Sequence, residues 1–331
     1  MLRLVQVGLG PLGQLVSADL TRRGVARLVG CVDSDASWRG VRLDQRIPGA
    51  PALEVAAELS AVDGEAVDAC LLTTHSDLTR CAPLLRQVLG RGVSVVSSCE
   101  ELLFPWLRHP DLARELDRLA REHGARLLGT GVNPGLLMDA LPAFVTCACN
   151  EVRSLGVWRI QDARPRRLSF QRKIGAGLSL ERFRKQAATG NLRHVGLGES
   201  LHFLAGALGA TVERWTEELE PVVAAEALEC ELGPIPAGHA AGVRQIARAW
   251  ARGRELLTLE FQAAIAQPDP HDRVRIDGDP SIDLVLRGGV QGDRATSAIL
   301  INCLRPLLDA APGLHTMATI PMPTCRGAEL P

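Results

Sequence analysis

The sequence predicts an α/β protein in two parts. Residues 1–135 read as a doubly wound parallel sheet that binds a dinucleotide, and residues 136–289 as an α+β domain with a mostly antiparallel sheet. A C-terminal helix and tail, 290–331, return to the first part. Three observations carry this. The chain opens on an apolar run, Leu4-Val5-Gln6-Val7, followed by glycines spaced GxGxxG and a helical pattern from Gln14 to Arg22. Short β-rich runs then alternate with helical ones as far as about residue 133, the pattern of a parallel sheet covered on both faces. Beyond about residue 150, longer strand-like segments take over. A length of 331 residues suits one large or two medium domains.

Each glycine of the opening meets a distinct demand. Gly8 makes the tight turn, Gly10 lets the backbone approach a pyrophosphate, and Gly13 lets the helix pack close to the strand. Pro11 and Leu12 begin that helix, whose free N–H groups and positive end would face the phosphates. A second strand, Arg27 to Val32, ends in Asp33, twenty positions after Gly13, where an acidic side chain holds the adenosine ribose. A carboxylate there favours NAD because it repels a 2′-phosphate, while Ser34 and Arg39 leave NADP open. A polar stretch, Ser34 to Pro51, and a weaker α/β step over Ala52 to Gly64 follow.

The strand Ala66 to Thr74 leads through His75-Ser76-Asp77 into an amphipathic helix that Gly90 and Gly92 end. Val93 to Ser97 is a buried strand by its β-branched content, and it runs into Ser98-Cys99-Glu100-Glu101. Pro110 starts a helix capped by Gly124, and the strand Ala125 to Gly129 reaches Asn133-Pro134-Gly135. Ligands of open α/β sheets sit beyond the carboxyl ends of the strands. Thr73, Thr74 and His75, with Ser98 and Cys99, are therefore candidate cofactor contacts. In the second part, strands are expected over Glu151–Asp162, Leu256–Ala266, Arg273–Ile276 and Ile282–Leu286, and helices over Leu180–Thr189 and Glu199–Leu208. Asp277 to Pro280 reads as a hairpin turn, and Ala295 to Leu308 as one final helical run.

Composition narrows the function. A net charge of −1 gives no electrostatic case for nucleic acid or a membrane surface. The basic run Arg164-Pro165-Arg166-Arg167 lacks aromatic interleaving and reads as a solvated loop or a subunit contact. No apolar run reaches the roughly 18 residues of a membrane span, and with residue 4 already inside a strand no signal peptide is expected. Nine cysteines without CxxC spacing read as reduced thiols of a cytoplasmic protein. The histidines form no HxxxH pair, so no metal site is expected. Tyrosine is absent, which removes tyrosine general acids.

Glu100 and Glu101 are the foremost catalytic candidates, because two carboxylates at the end of a central strand are not where a fold needs charge. Such a carboxylate can bind an ammonium, stabilise an iminium and serve as general base for water. The competing reading is that both begin a helix and complement its dipole. Asn133 offers a donor and an acceptor at a stiffened turn, or makes an Asx turn. Arg159 points into a cleft or out to solvent from its strand. His194 binds substrate, caps the helix that follows, or sits in the core.

Together these stretches resemble the 2,4-diaminopentanoate dehydrogenase family, which includes native amine dehydrogenases and is related to dihydrodipicolinate reductase. The matching segments are Val7 to Gly13, Ser98 to Leu102, Gly131 to Gly135, Gln171 to Gly177, His194 to Leu197, Gly292 to Thr296 and Pro312 to Met317. The resemblance implies a Rossmann domain and a second domain that closes over the substrate and makes a homodimer contact. It also implies reversible NAD(P)-dependent oxidative deamination of an amine to a ketone, with ammonia as the co-substrate of the reverse reaction. On that basis Glu100 holds the amine, and Asn133 and Arg159 shape the polar end of the pocket. Two other functions stay open at this point, an imine or dihydrodipicolinate-type reductase and a non-catalytic NAD(P)-binding regulator. The paired histidines and the DAPSGT-like segment of dihydrodipicolinate reductase are missing.

Overall fold

The computed structural model describes residues 1–59, 67–190 and 192–325. It divides into two compact units, Met1–Leu136 together with the chain from Gln291 onward, and Leu137–Val290.

The first unit begins with β1 (Leu2–Val7) and α1 (Pro11–Arg23). Left-handed Gly24 ends α1, its N–H bonding the Leu20 carbonyl. Next come β2 (Ala26–Val32), β3 (Val55–Ala56), β4 (Ala69–Leu72), α2 (Leu78–Leu89), β5 (Ser94–Ser97), α3 (Pro110–Glu122) and β6 (Arg126–Gly129). Of the α/β step expected over Ala52–Gly64, the described residues hold the two-residue β3. Positions 60–64, and Ala66 of the next strand, lie outside the described residues. In α2, Asp77 caps the N-terminus by accepting the Arg80 N–H, and Leu78, Cys81, Ala82, Leu85, Val88 and Leu89 form one buried stripe. That stripe packs with Val5, Val7, Cys70, Leu72 and Val95 of the sheet and with Ala113, Leu116 and Ala120 of α3. Each large apolar side chain buried this way contributes about 1.5–3 kcal/mol.

The second unit holds α4 (Leu141–Val145), β7 (Glu151–Asp162), α5 (Leu168–Lys173), α6 (Leu180–Ala188) and α7 (Leu197–Ala207). Its remaining strands are β8 (Arg214–Val223), β9 (Leu228–Cys230), β10 (Gly233–Ile235), β11 (Ala240–Ala251), β12 (Arg254–Ala264), β13 (His271–Asp279) and β14 (Ile282–Arg287). The main sheet runs β14-β13-β7-β12-β11-β8, antiparallel except for the β7–β12 pair. Two of its long strands, β8 and β11, are not legible in the sequence. The expected turn at Asp277–Pro280 is also displaced. Asp277 and Gly278 still pair with Ser154 and Val152, and the chain reverses only at Pro280-Ser281. A Cβ at Gly278 would stand 2.3 Å from the Glu151 carbonyl, so this glycine serves a close strand crossing rather than a turn.

The chain then returns through α8 (Gly292–Asn302), α9 (Leu304–Leu308) and β15 (Gly313–His315). The single helix expected over Ala295–Leu308 is thus two, divided at Cys303. The Ser297 hydroxyl donates to Asp19 at 2.6 Å and Arg23 to Asn302 at 2.7 Å, which ties α8 to α1. β15 adds a seventh parallel strand, giving the order β15-β6-β5-β4-β1-β2-β3. The fold is the predicted α/β class, a Rossmann-type parallel sheet plus an α+β unit. The order reverses between β1 and β4, the switch point where such sheets bind ligands.

Candidate active site

The glycine turn is built by contact and by open space. Gly8 sits at φ +89°, and a Cβ there would lie 2.6 Å from the Thr73 carbonyl oxygen. A Cβ at Gly13 would lie 1.9 Å from the Gly8 carbonyl oxygen, so α1 can approach β1 only without a side chain. Gly10 is the N-cap of α1, and a Cβ on it would meet nothing within 4 Å. The open face is therefore where a pyrophosphate can approach, with Pro11 filling a first-turn position that needs no N–H. Beneath the turn, Gln6 donates to the Gly8 carbonyl at 2.9 Å and to the Thr73 hydroxyl at 2.7 Å, and Thr73 donates to Gly8 at 2.9 Å. Sequence reasoning missed Gln6, although a glutamine in an otherwise apolar strand was a signal.

Asp33 follows β2, and its two oxygens accept the N–H groups of Leu9 at 2.5 Å and Asp35 at 2.8 Å. The carboxylate is thereby fastened to the glycine turn. Gly8, Gly10, Asp33, Thr73, Thr74 and His75 all line one cavity of about 650 Å³. A neighbouring cavity of about 410 Å³ shares Asp33 and has Arg39 in its wall. Leu12 and Gly13 lie in α1, and Ser98 and Cys99 beyond β5, outside the walls of the larger cavity. Cys99 is buried and its thiol donates to the Ser76 carbonyl at 3.2 Å, while Cys81 donates to His75 at 3.4 Å. These thiols stitch the loop after β4 rather than face the cavity.

Glu100 and Glu101 open a short 3-10 turn, Glu100–Leu103, and their environments differ. One Glu101 carboxylate oxygen accepts the Leu78 N–H at 2.9 Å and meets His109 Nε2 at 3.0 Å, and the Glu101 N–H donates to Ser76 at 3.2 Å. The Glu101 carboxylate is thus committed to holding the chain. Glu100 is half-buried beyond the carboxyl end of β5. On the neighbouring strand, Asn133 follows β6, whose Gly129 pairs with Ser97. Both side-chain polar atoms of Asn133 are buried and lack a hydrogen-bond partner among the described residues, a rare condition that a bound ligand would relieve. Its loop is fixed by the Val132 N–H donating to Thr296 at 3.2 Å, and by Gly135, where a Cβ would lie 2.4 Å from the Gly131 carbonyl oxygen.

In the second unit, Arg159 is neither solvent-facing nor open to a cleft. It is 2% exposed, donates to Asp272 at 2.6 Å and to the Val290 carbonyl at 3.1 Å, and Val290 N–H in turn donates to Asp272. Removing one partner of such a buried pair typically costs about 3–5 kcal/mol. His194 does not cap α7, because Gly196 occupies that position. Its N–H and carbonyl are held by Gln245 at 2.8 and 3.0 Å, and its ring stacks on Phe261 at 4.6 Å. Burial pushes the His194 pKa well below its ordinary value, and the charges of Lys173 and Arg159 add to this. A histidine kept neutral in the fold and free to protonate when unfolded stabilises fully above pH ~6.5 and loses that contribution as pH falls through it. The stability of the wild-type protein is therefore expected to decline below pH ~6.5 more steeply than that of His194→Gln, by up to about 1.4 kcal/mol per pH unit. Urea unfolding of both proteins between pH 5 and 8 checks this.

Among the described residues there is no cluster of metal-ligating side chains and no helix long and apolar enough to cross a membrane. Residues 136–330 match the family model of the 2,4-diaminopentanoate dehydrogenase C-terminal domain. Over 97% of its length the chain is 30% identical to 2,4-diaminopentanoate dehydrogenase of Acetoanaerobium sticklandii, covering 94% of that protein. It superposes on the amine dehydrogenase of Mycobacterium smegmatis with a TM-score of 0.86 at 23% identity, over 98% of this chain and 97% of that one. The WlbA dehydrogenase of Bordetella pertussis, solved with NADH and UDP-GlcNAcA, gives a TM-score of 0.56 at 16% identity, over 94% and 90%. These two structures share the fold, while the sequence matches reach further: the chain belongs to the 2,4-diaminopentanoate dehydrogenase family.

Proposed function

We propose that the protein is an NAD(P)-dependent dehydrogenase of CH–NH2 groups, deaminating a primary amine to a ketone and, in reverse, aminating a ketone with ammonia. The observation that carries this is Glu100, a half-buried carboxylate beyond the carboxyl end of β5, beside a strand whose loop presents the unpartnered amide of Asn133. The names of the relatives, a diaminopentanoate dehydrogenase and an amine dehydrogenase, support the same chemistry.

The residues present fit a nicotinamide dinucleotide: open space over Gly10, the N-terminus of α1, and Asp33 at the cavity wall. When bound, that cofactor supplies or accepts the hydride. Glu100 binds the substrate ammonium, takes its proton and passes it to solvent, so that a carboxylate again faces the free amine. As hydride leaves the carbon, positive charge spreads over the C=N group, and the nearby carboxylate stabilises it. Glu100 then takes a proton from the water that adds to the iminium and returns it to the departing nitrogen, releasing ammonia. The Asn133 amide, able to donate and accept, orients the nitrogen or the carbonyl oxygen. Asp33, fastened by Leu9 and Asp35, repels a 2′-phosphate and favours NAD over NADP.

In this reading residues 1–135 with 290–331 bind the dinucleotide, and 136–289 provide substrate contacts and the dimer interface. His194 and the Arg159–Asp272 pair belong to that second part. The homodimer contact in this reading lies on the sheet face that carries Val285, Arg273, Trp158 and Glu260 in one row. Nine free thiols suit the reducing cytoplasm.

The deciding experiment is NADH and NADPH oxidation with a panel of small ketones and keto acids, with and without high ammonium at alkaline pH. Oxidation that requires ammonium and runs faster with NADH is expected. Oxidation of a preformed imine without ammonium would mark a reductase, and cofactor binding without any oxidation would mark a regulator.

A further inference from the structure

One carboxylate joins three chain segments just beside Glu100. Glu101 accepts the first N–H of α2, from Leu78, at 2.9 Å, and a hydrogen bond with His109 Nε2 at 3.0 Å, with the two side chains 13% and 23% exposed. The Glu101 main chain adds its own bond to Ser76. His109 cannot drift, because it is the residue before α3. Its N–H donates to Pro105 at 2.8 Å, and its carbonyl accepts the Ala113 N–H at 2.8 Å. The positive end of α2 and the imidazole N–H thus hold Glu101 from two sides. Glu100 is its immediate neighbour in a turn of only four residues, so any shift of Glu101 is passed to Glu100.

We propose that His109 is a positioning residue for amine dehydrogenation, acting through Glu101 to fix the carboxylate of Glu100. This rests on the reading that Glu100 binds the amine. The physical warrant is that an atomic misplacement of about 1 Å can cost about 100-fold in rate. His109 touches neither substrate nor cofactor in this scheme, and its loss is felt in turnover rather than in cofactor affinity.

The test compares His109→Ala, His109→Gln, Glu101→Ala, the His109→Ala/Glu101→Ala double variant and Glu100→Ala. It measures kcat and KM for amine and NAD, the Kd for NADH by fluorescence, and Tm. His109→Ala is expected to lower kcat about 10-fold and Glu101→Ala about 100-fold, with the Kd for NADH unchanged within about twofold. His109→Gln, whose amide N–H reaches to a similar place, restores most of the rate. The double variant is no slower than Glu101→Ala, since both act on one unit. Wild-type kcat in His109→Ala, no recovery in His109→Gln, or losses that multiply in the double variant would each overturn the proposal. Should Glu101→Ala fail to fold, the His109 pair decides alone. Full turnover by Glu100→Ala would instead remove the amine-binding reading itself, whereas an inactive Glu100→Ala beside a fully active His109→Ala removes only the positioning role.

Discussion

Replacing Glu100 by alanine is expected to lower kcat for amine oxidation by roughly 100- to 1,000-fold, the scale of losing one preorganised electrostatic group at a developing charge. In the proposed reaction the positive charge on the substrate carbon and nitrogen grows as hydride departs, and the Glu100 carboxylate would meet it. Glu100→Gln keeps the size and one acceptor oxygen but not the charge, so it separates steric fit from electrostatics. Turnover close to that of the alanine variant would assign the loss to charge and proton transfer. Cofactor binding is a separate matter, because Glu100 is not in the wall of the cavity formed by Gly8, Gly10 and Asp33. NADH affinity by fluorescence titration is therefore expected to stay within about twofold while kcat falls. Equal loss of both would mean that the variant has disturbed the turn rather than removed a catalytic group.

The second large effect is expected at Gly13. Alanine there would put a Cβ 1.9 Å from the Gly8 carbonyl and 2.8 Å from the Thr73 hydroxyl. A backbone atom cannot yield, so α1 must move away from β1. Overpacking of this kind costs about 1–3 kcal/mol and outweighs the roughly 1 kcal/mol alanine gains as a helix former. The displaced helix also takes its N-terminus away from the phosphates. Gly13→Ala is accordingly expected to lower both Tm and NADH affinity, the latter at least 10-fold by the scale of 1.4 kcal/mol per decade. Gly10→Ala is its counterpart, since its Cβ meets no protein atom within 4 Å. It is expected to keep Tm and lose cofactor binding. Calorimetry with fluorescence titration on both variants checks the pair, and unchanged NADH binding in Gly10→Ala would remove the pyrophosphate from that space.

The two glycines show why the first unit was legible. Its strands are short, buried and apolar, its helices start at an N1 proline or an aspartate cap, and its turn depends on residues only five apart. The second unit was less so. Ala240–Ala251 is rich in alanine and arginine and has a helical composition, yet it is a central strand because β12 and β8 pair along both its edges. Nothing local in those twelve residues contains that information.

The same distinction runs through the site. The GxGxxG spacing, the acidic Asp33 beyond the second strand and the alternation of strands and helices determined the fold class from the sequence by itself, because each is a local demand of backbone geometry or charge, and the carboxylates after the fifth strand nominated the site. Which of Glu100 and Glu101 is spent on structure was decided only by tertiary packing, through Leu78 and His109. So was the fate of Arg159, whose charge is met by Asp272 from another strand, 113 positions along the chain. Charge neutralisation between residues far apart in sequence depends on strand register, and register is set by the whole sheet rather than by either residue.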